Sequence, residues 1–251
     1  MNTRLEPDDN VGPLELARRS MAGDLPLRYR RKLEHEFDAR VARAVRPGAR
    51  VLDVGSGRRP SLAPEYRPPV CEYVRLDVSG PELDAAAPGS YDAGLVADIA
   101  GARRPELEGR FDLVISFQVL EHVRPLERAL ENMRSYLKPG GRMVVQMSGT
   151  FTPFSVAGKV VPHGLKVRAL ERFLDREPEK IFPAHYDHCW SSALERLTQE
   201  WQTVEIVPLH RGAAYLHFSK PLRAAYLVYE RWLARHHLDN FAAYFIVDAI
   251  R

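Results

Sequence analysis

The run Val51-Leu52-Asp53-Val54-Gly55-Ser56-Gly57 limits this chain more than any other feature. Four residues of buried-strand character stop abruptly at two glycines. A strand that ends this way lets a ligand come close to the backbone, and its glycine amides can meet a polar group at the following turn. Rossmann-type sheets of several functions share this element, so it sets the fold class before it sets the chemistry.

A regular alternation follows. Short apolar runs at Arg50–Val54, Glu72–Asp77, within Tyr91–Ala97, at Phe111–Phe117 and at Arg142–Ser148 read as five strands, with a helix at Pro125–Leu137 between the last two. Such alternation implies a parallel sheet with helices on both faces. Upstream, Leu14–Ala22 and Tyr29–Val45 read as helices. In the second, Leu33, Phe37, Val41 and Val45 form one apolar stripe, and Pro47-Gly48 ends it. Residues 1–45 are therefore expected to be an N-terminal helical cover, with the α/β domain at 46–251. Residues 149–202 break the rhythm with Pro153, Pro162, Pro178 and Pro183 and read as an insertion over the ligand edge. Its last part, Ser191–Gln202, is expected to be a helix capped by Ser191 or Ser192. Thr203–Pro208, Leu222–His236 and Ala242–Ile250 complete the pattern as strand, helix and strand.

Three acids stand at successive strand ends: Asp53, Asp77 and Asp98. An acid about 20 residues beyond a glycine turn is placed to accept ribose hydroxyls. After the third strand, Asp98 can accept from an adenine amino group while Ile99 packs on the ring. Two further runs are Phe111-Asp112-Leu113-Val114-Ile115-Ser116-Phe117-Gln118-Val119-Leu120-Glu121-His122-Val123 and Leu137-Lys138-Pro139-Gly140-Gly141. The proline and glycines of the second end a helix and turn into a strand.

Taken in order, VLDVGSG, Asp77, ADI, FDLVISFQVLEHV and LKPGG resemble class I methyltransferases of the small-molecule group called type 11, over roughly residues 45–150. The resemblance implies an α/β, Rossmann-like, seven-stranded, mostly parallel sheet with helices on both faces and the last strand antiparallel. It implies S-adenosyl-L-methionine as cofactor. Asp53, Gly55, Ser56 and Gly57 would line its methionine part, Asp77 and Val78 its ribose, Asp98 and Ile99 its adenine, and Phe117 and Gln118 its sulfonium side. The glycine loop departs from the usual third small residue and continues Arg58-Arg59-Pro60. One of these arginines pairs with the cofactor carboxylate, or both face solvent.

On the acceptor side, His185-Tyr186-Asp187-His188-Cys189-Trp190 is the densest local chemistry. His185 and His188 are the candidate bases. His163, Tyr186 and Trp190 are candidate acceptor contacts. The cluster also reads as a packed aromatic lid or, with Asp187 and Cys189, as metal ligands, although the tight spacing is unlike separated ligand pairs. Glu121-His122 invites a metal reading as well. The position three residues earlier is Gln118, a poor ligand for a hard cation, so no metal is expected and the pair is read as loop packing.

With 251 residues, 45% of them apolar and 27% charged, the chain is long enough for one full α/β core. A net charge of +3 and the lack of a basic stripe interleaved with aromatics argue against a nucleic-acid partner. No Asn-Pro-Pro-Tyr-like run follows the fourth strand. No run approaches the roughly 20 apolar residues that cross a bilayer. Cys71 and Cys189 are far apart, as in a reducing compartment. The expectation is a cytoplasmic methyltransferase, monomer or homodimer, compatible with peripheral membrane contact. It would methylate a small molecule, with a sugar, lipid-linked or natural-product hydroxyl as the leading acceptor. A small amine acceptor, or a non-catalytic cofactor-binding partner of a related enzyme, is the alternative.

Overall fold

The architecture is that of a computed structural model, which describes residues 11–153, 155 and 184–251. Seven strands, β1 (Arg50–Val54), β2 (Glu72–Asp77), β3 (Ala93–Val96), β4 (Phe111–Phe117), β5 (Leu137–Ser148), β6 (Thr203–Leu209) and β7 (Tyr244–Ile250), form one sheet in the order β3-β2-β1-β4-β5-β7-β6. The pairs among β1 to β5 are parallel, and β7 runs antiparallel between β5 and β6. The expected seven-stranded sheet with an antiparallel last strand is what the chain forms. The helices are α1 (Pro13–Ala22), α2 (Leu27–Arg30), α3 (His35–Ala44), α4 (Gly80–Asp84), α5 (Leu126–Tyr136), α6 (Ser191–Leu197) and α7 (Lys220–Arg235). No helix among the described residues is long and apolar enough to cross a membrane.

Pleating explains why the strands read as nearly continuous apolar runs. Alternate side chains point to opposite faces, and both faces are covered. Leu52, Val54, Val114, Met143 and Val145 pack with Leu126, Leu130 and Met133 of α5 on one face. Val51, Leu113, Ile115 and Val144 pack with Phe37 and Val41 of α3 on the other. The N-terminal helices thus share the sheet's own core through α3.

Several boundaries differ from the sequence reading, and three of them matter for how the elements pack. The expected Tyr29–Val45 helix is broken at Arg31, which is extended (φ −86°, ψ 155°). The guanidinium of Arg211 donates to the carbonyls of Arg31 and Lys32 at 2.7 and 2.9 Å, replacing the intrahelical bonds that the break removes. Tyr29 and Arg28 meanwhile bind the buried Glu230 of α7. The helix after the insertion stops at Leu197, and its N-cap is Trp190 with no side-chain cap; the amide of Ser192 donates to Asn240 instead, at 3.0 Å. Strand β5 begins at Leu137, so the Lys138-Pro139-Gly140-Gly141 turn lies within a bulged strand start opposite Phe111–Leu113.

One buried ion network ties α3 to the sheet. Arg40 donates to both oxygens of Glu205 (2.7 and 3.1 Å) and to Asp248 (2.9 Å), and Arg142 donates to both oxygens of Asp248 (2.6 Å each). Burial works against the Arg40 charge, but the two carboxylates outweigh it and raise its pKa above the ordinary arginine value.

Candidate functional site

Strand order reverses at β1, whose neighbours are β2 and β4. In an open α/β sheet such a switch point leaves a crevice beyond the carboxyl ends of the strands. Gly55 stands at its floor with φ +75°, and its amide donates to the Leu76 carbonyl at 2.7 Å. A Cβ placed there would lie 2.4 Å from Cγ1 of Val119, on the loop after β4. Glycine is therefore required twice, for its backbone angle and for the close approach of β1 and β4 loops. Gly55→Ala is expected to lose roughly 1–2 kcal/mol to the left-handed backbone and roughly 1–3 kcal/mol more to overpacking. Adding Val119→Ala should recover part of the second loss and none of the first, because the Val119 Cβ that remains still stands 2.9 Å from the added atom. Urea unfolding checks this: equal losses in the single and double variants would contradict it.

Asp77 closes the loop. Its Oδ2 accepts from the Gly57 amide at 2.9 Å and its Oδ1 from the Ser79 amide at 2.8 Å. Each carboxylate oxygen has a second lone-pair site, so the group can accept further hydroxyls at the crevice. Asp53 plays a different part. It is fully buried, and it accepts from the Ser61 amide (2.7 Å), the Ser61 hydroxyl (2.8 Å) and the Tyr73 hydroxyl (2.7 Å). Burial pushes its pKa up to about 6 against those bonds. Asp53 supports the loop from below rather than presenting oxygens to the crevice. Around it lies a stack unread in the sequence: Arg67 sits 3.6 Å over the Tyr73 ring, Arg75 sits 4.7 Å over Tyr91, and the Tyr91 hydroxyl reaches the Gly57 carbonyl at 3.5 Å. Ser56 is half-buried between the two glycines. Arg58 pairs with Glu82 through two bonds of 2.9 and 2.5 Å, and Arg59 is exposed.

Beyond Asp77 the crevice has an apolar ledge. Val78 is 68% and Val96 56% exposed. Asp98 is exposed and its Oδ1 accepts from the Ala100 amide at 2.9 Å. Ile99, expected to lie against a ring, is instead turned into the main core, with its carbonyl held by Asn132 at 2.7 Å. The apolar surface that the sequence reading sought there is supplied by Val78 and by Val96, which it did not single out.

The loop after β4 builds the other wall. Phe117 packs on Phe37 with ring centroids 5.2 Å apart. Gln118 has φ +55° and its amide donates to the Gln146 carbonyl at 2.8 Å. The hydroxyl of Ser148, at the end of β5, meets both Oε1 of Gln118 (2.9 Å) and Oε1 of Glu121 (2.8 Å). Glu121 is 3% exposed, and burial raises its pKa above the usual carboxyl range. Nε2 of Gln118, Oε2 of Glu121 and the amide of buried Gln146 have no hydrogen-bond partner among the described residues. Ser148 lies opposite Tyr244, whose hydroxyl donates to that of Tyr215 at 2.7 Å.

The 185–190 cluster docks onto this wall. The amides of His185 and Tyr186 both donate to the Glu121 carbonyl at 2.9 Å, and Thr150 Oγ1 donates to the Tyr186 carbonyl at 3.0 Å. Tyr186 is half-buried, and that burial raises its pKa. Asp187 accepts from the Leu126 amide at the start of α5 (3.0 Å) and pairs with His188 Nδ1 (2.9 Å). His188 is half exposed and lies 5.2 Å from the Trp190 ring, which continues through Phe151 (5.2 Å) to Phe241 (5.9 Å). His185 is exposed. The structure therefore places Tyr186 and Trp190 in a cluster docked on the loop after β4 and engages His188 with Asp187. His163 lies outside the described residues. Among the described residues no group of three or more His, Cys, Asp or Glu side chains is placed to hold a metal ion.

Comparison with known proteins bears on this geometry. A family model described as a methyltransferase domain matches residues 29–204. An uncharacterized methyltransferase from Mycolicibacterium gilvum is 33% identical over half of this chain and half of its own length. A ubiquinone biosynthesis O-methyltransferase from Chelativorans is 30% identical over 42% of this chain and 44% of its own length. The chain thus spans about half the length of these curated relatives. Among solved structures, the geranyl diphosphate C-methyltransferase of Streptomyces coelicolor, bound to Mg2+, geranyl-S-thiolodiphosphate and S-adenosyl-L-homocysteine, superposes with a TM-score of 0.53 at 15% identity, covering 87% of this chain and 75% of that one.

Proposed function

The chain belongs to the methyltransferase-domain family, and from that premise we propose that it transfers a methyl group from S-adenosylmethionine to a small-molecule acceptor. The observation that carries the proposal is the glycine loop closed on Asp77 beside the Val78–Val96 ledge. A ribose diol fits a buried carboxylate with spare acceptor sites. An adenine ring fits an exposed apolar ledge next to Asp98. The cofactor supplies a methyl group already activated on a sulfonium cation. What remains for the protein is to align the acceptor and exclude water. Gly55, Ser56 and Gly57 hold the methionine part, and Phe117 and Gln118 border the reacting end. Asp53 acts by fixing the loop.

The acceptor is a hydroxyl compound with an apolar portion, of the sugar, lipid-linked or natural-product kind. The aromatic row Trp190–Phe151–Phe241 offers the apolar wall, and the similarity to a ubiquinone biosynthesis O-methyltransferase supports the same reading. The test is a methyl-transfer screen across sugars, phenols, quinols and amines, read by mass spectrometry. Methylation confined to hydroxyl compounds is expected. Methylation confined to amines would overturn the acceptor assignment.

A further inference from the structure

The proposed methyl transfer leaves two buried polar atoms beside the reacting end without an assigned part. Gln118 and Glu121 lie on the same loop after β4, and each turns its Oε1 to the single hydroxyl of Ser148. Their other ends, Nε2 of Gln118 and Oε2 of Glu121, are buried and unpaired among the described residues. A buried polar atom without a partner is unfavourable, because it has given up water and gained nothing in return. Two such atoms, one a donor and one an acceptor, anchored to the same hydroxyl at the carboxyl edge of β4 and β5, define a receptor for a group that accepts one hydrogen bond and donates another.

We propose that Gln118 Nε2 and Glu121 Oε2 bind the nucleophilic hydroxyl of the acceptor, with Glu121 as the base that takes its proton. This rests on the methyl-transfer reading given above. The lone-pair count selects a hydroxyl over an amine. A hydroxyl has one proton and two lone pairs. It can give the proton to Glu121, accept from Gln118 with one pair and attack with the other. A neutral amine has one lone pair, and accepting from Gln118 would occupy the pair needed for attack. An ammonium group can only donate, leaving Gln118 unpaired. A metal ion would find no lone pair on Nε2. In the transfer, the acceptor oxygen bonds the methyl carbon as the carbon–sulfur bond breaks. The bonding pair leaves on sulfur, and the hydroxyl proton passes to Oε2.

The surroundings suit this role. Burial raises the Glu121 pKa towards the range in which a carboxylate is an effective base. The groups that face it are His122 on its own loop, Ser148 from β5, Tyr186 from the docked cluster and Tyr244 from β7. His188 is engaged by Asp187 and His185 is exposed, so neither is held against this pair as Glu121 is.

The test uses crystals of the full chain with S-adenosylhomocysteine, soaked separately in 1-propanol and in propylamine. The expected result is a propanol oxygen within hydrogen-bond distance of both Gln118 Nε2 and Glu121 Oε2, lost in Glu121→Leu and in Gln118→Leu. Calorimetry on Glu121→Leu should show S-adenosylhomocysteine affinity within about threefold of wild type. If the wild type binds no S-adenosylhomocysteine, the methyl-transfer reading itself fails. Four outcomes with cofactor binding intact overturn the pair alone. In the first, propanol does not bind between these atoms. In the second, it stays in both variants. In the third, propylammonium sits on Glu121 with Gln118 unengaged. In the fourth, the Gln118 amide is turned so that its nitrogen meets Ser148.

Discussion

Asp77→Ala is expected to weaken S-adenosylmethionine binding by about 10²-fold. The carboxylate is 9% exposed at the end of β2 and already accepts from the Gly57 and Ser79 amides. Two ribose hydroxyls would add two charge-assisted bonds, each worth roughly 1.5–3 kcal/mol. Removing the carboxylate loses both and also releases the Gly57 amide, so the loop that meets the methionine part loses its tether. Asp77→Asn keeps one acceptor oxygen and should fall between wild type and Ala. Calorimetric titration measures the effect, with circular dichroism to establish that the variant is folded. A folded Asp77→Ala protein of unchanged affinity would remove Asp77 from the site.

The second large effect is on stability. Asp248→Ala is expected to cost about 3–5 kcal/mol, the range for breaking a buried ion pair from one side. Arg40 is 8% exposed and would keep only Glu205, whose side chain is 57% exposed, and the i,i+4 contact with Glu36. Arg142 would lose both of its bonds to Asp248. For a domain of this size that corresponds to a fall of roughly 10 °C in Tm. Cofactor affinity should not change, because Asp248 pairs with Val144 in the interior of β5, and its carboxylate is taken up by Arg40 and Arg142 rather than presented at the carboxyl edge. The network also sets an acid limit. Arg40 holds the Glu205 carboxyl below its ordinary 4.5. The stability from that lowered value is present above pH 4.5 and is lost as pH falls through the folded-state pKa. A double-mutant cycle of Arg40→Ala and Asp248→Ala, followed by urea unfolding, should give a strong coupling. Additive losses would contradict the network.

Strand positions were legible because a sheet covered on both faces needs apolar residues at nearly every position. Arg50–Val54, Glu72–Asp77 and Phe111–Phe117 form with the boundaries the sequence implies. The break at Arg31 was not legible, because the side chain that satisfies its carbonyls belongs to Arg211, 180 residues later in the chain. Local pattern carries no trace of such a contact. The edge of the crevice was legible as residue types in order, but not as orientation. Asp53 and Ile99 occupy the expected positions and face inward, and Val96 supplies the ledge. On the acceptor side, histidines draw attention because they titrate near neutrality. Glu121 was read as loop packing because nothing in its own segment reveals that Ser148, from the next strand, ties it to Gln118. That three-way contact exists only once β4 and β5 pair.

The central claim is that the crevice at the β1–β4 switch point holds S-adenosylmethionine. Calorimetric titration of the purified chain, stripped of bound nucleotides, tests it directly. Saturable one-to-one binding of S-adenosylmethionine and of S-adenosylhomocysteine, weakened together in Asp77→Ala and indifferent to added metal, is the predicted result. Silence with both compounds, alongside clear binding of a nicotinamide dinucleotide, would contradict the account.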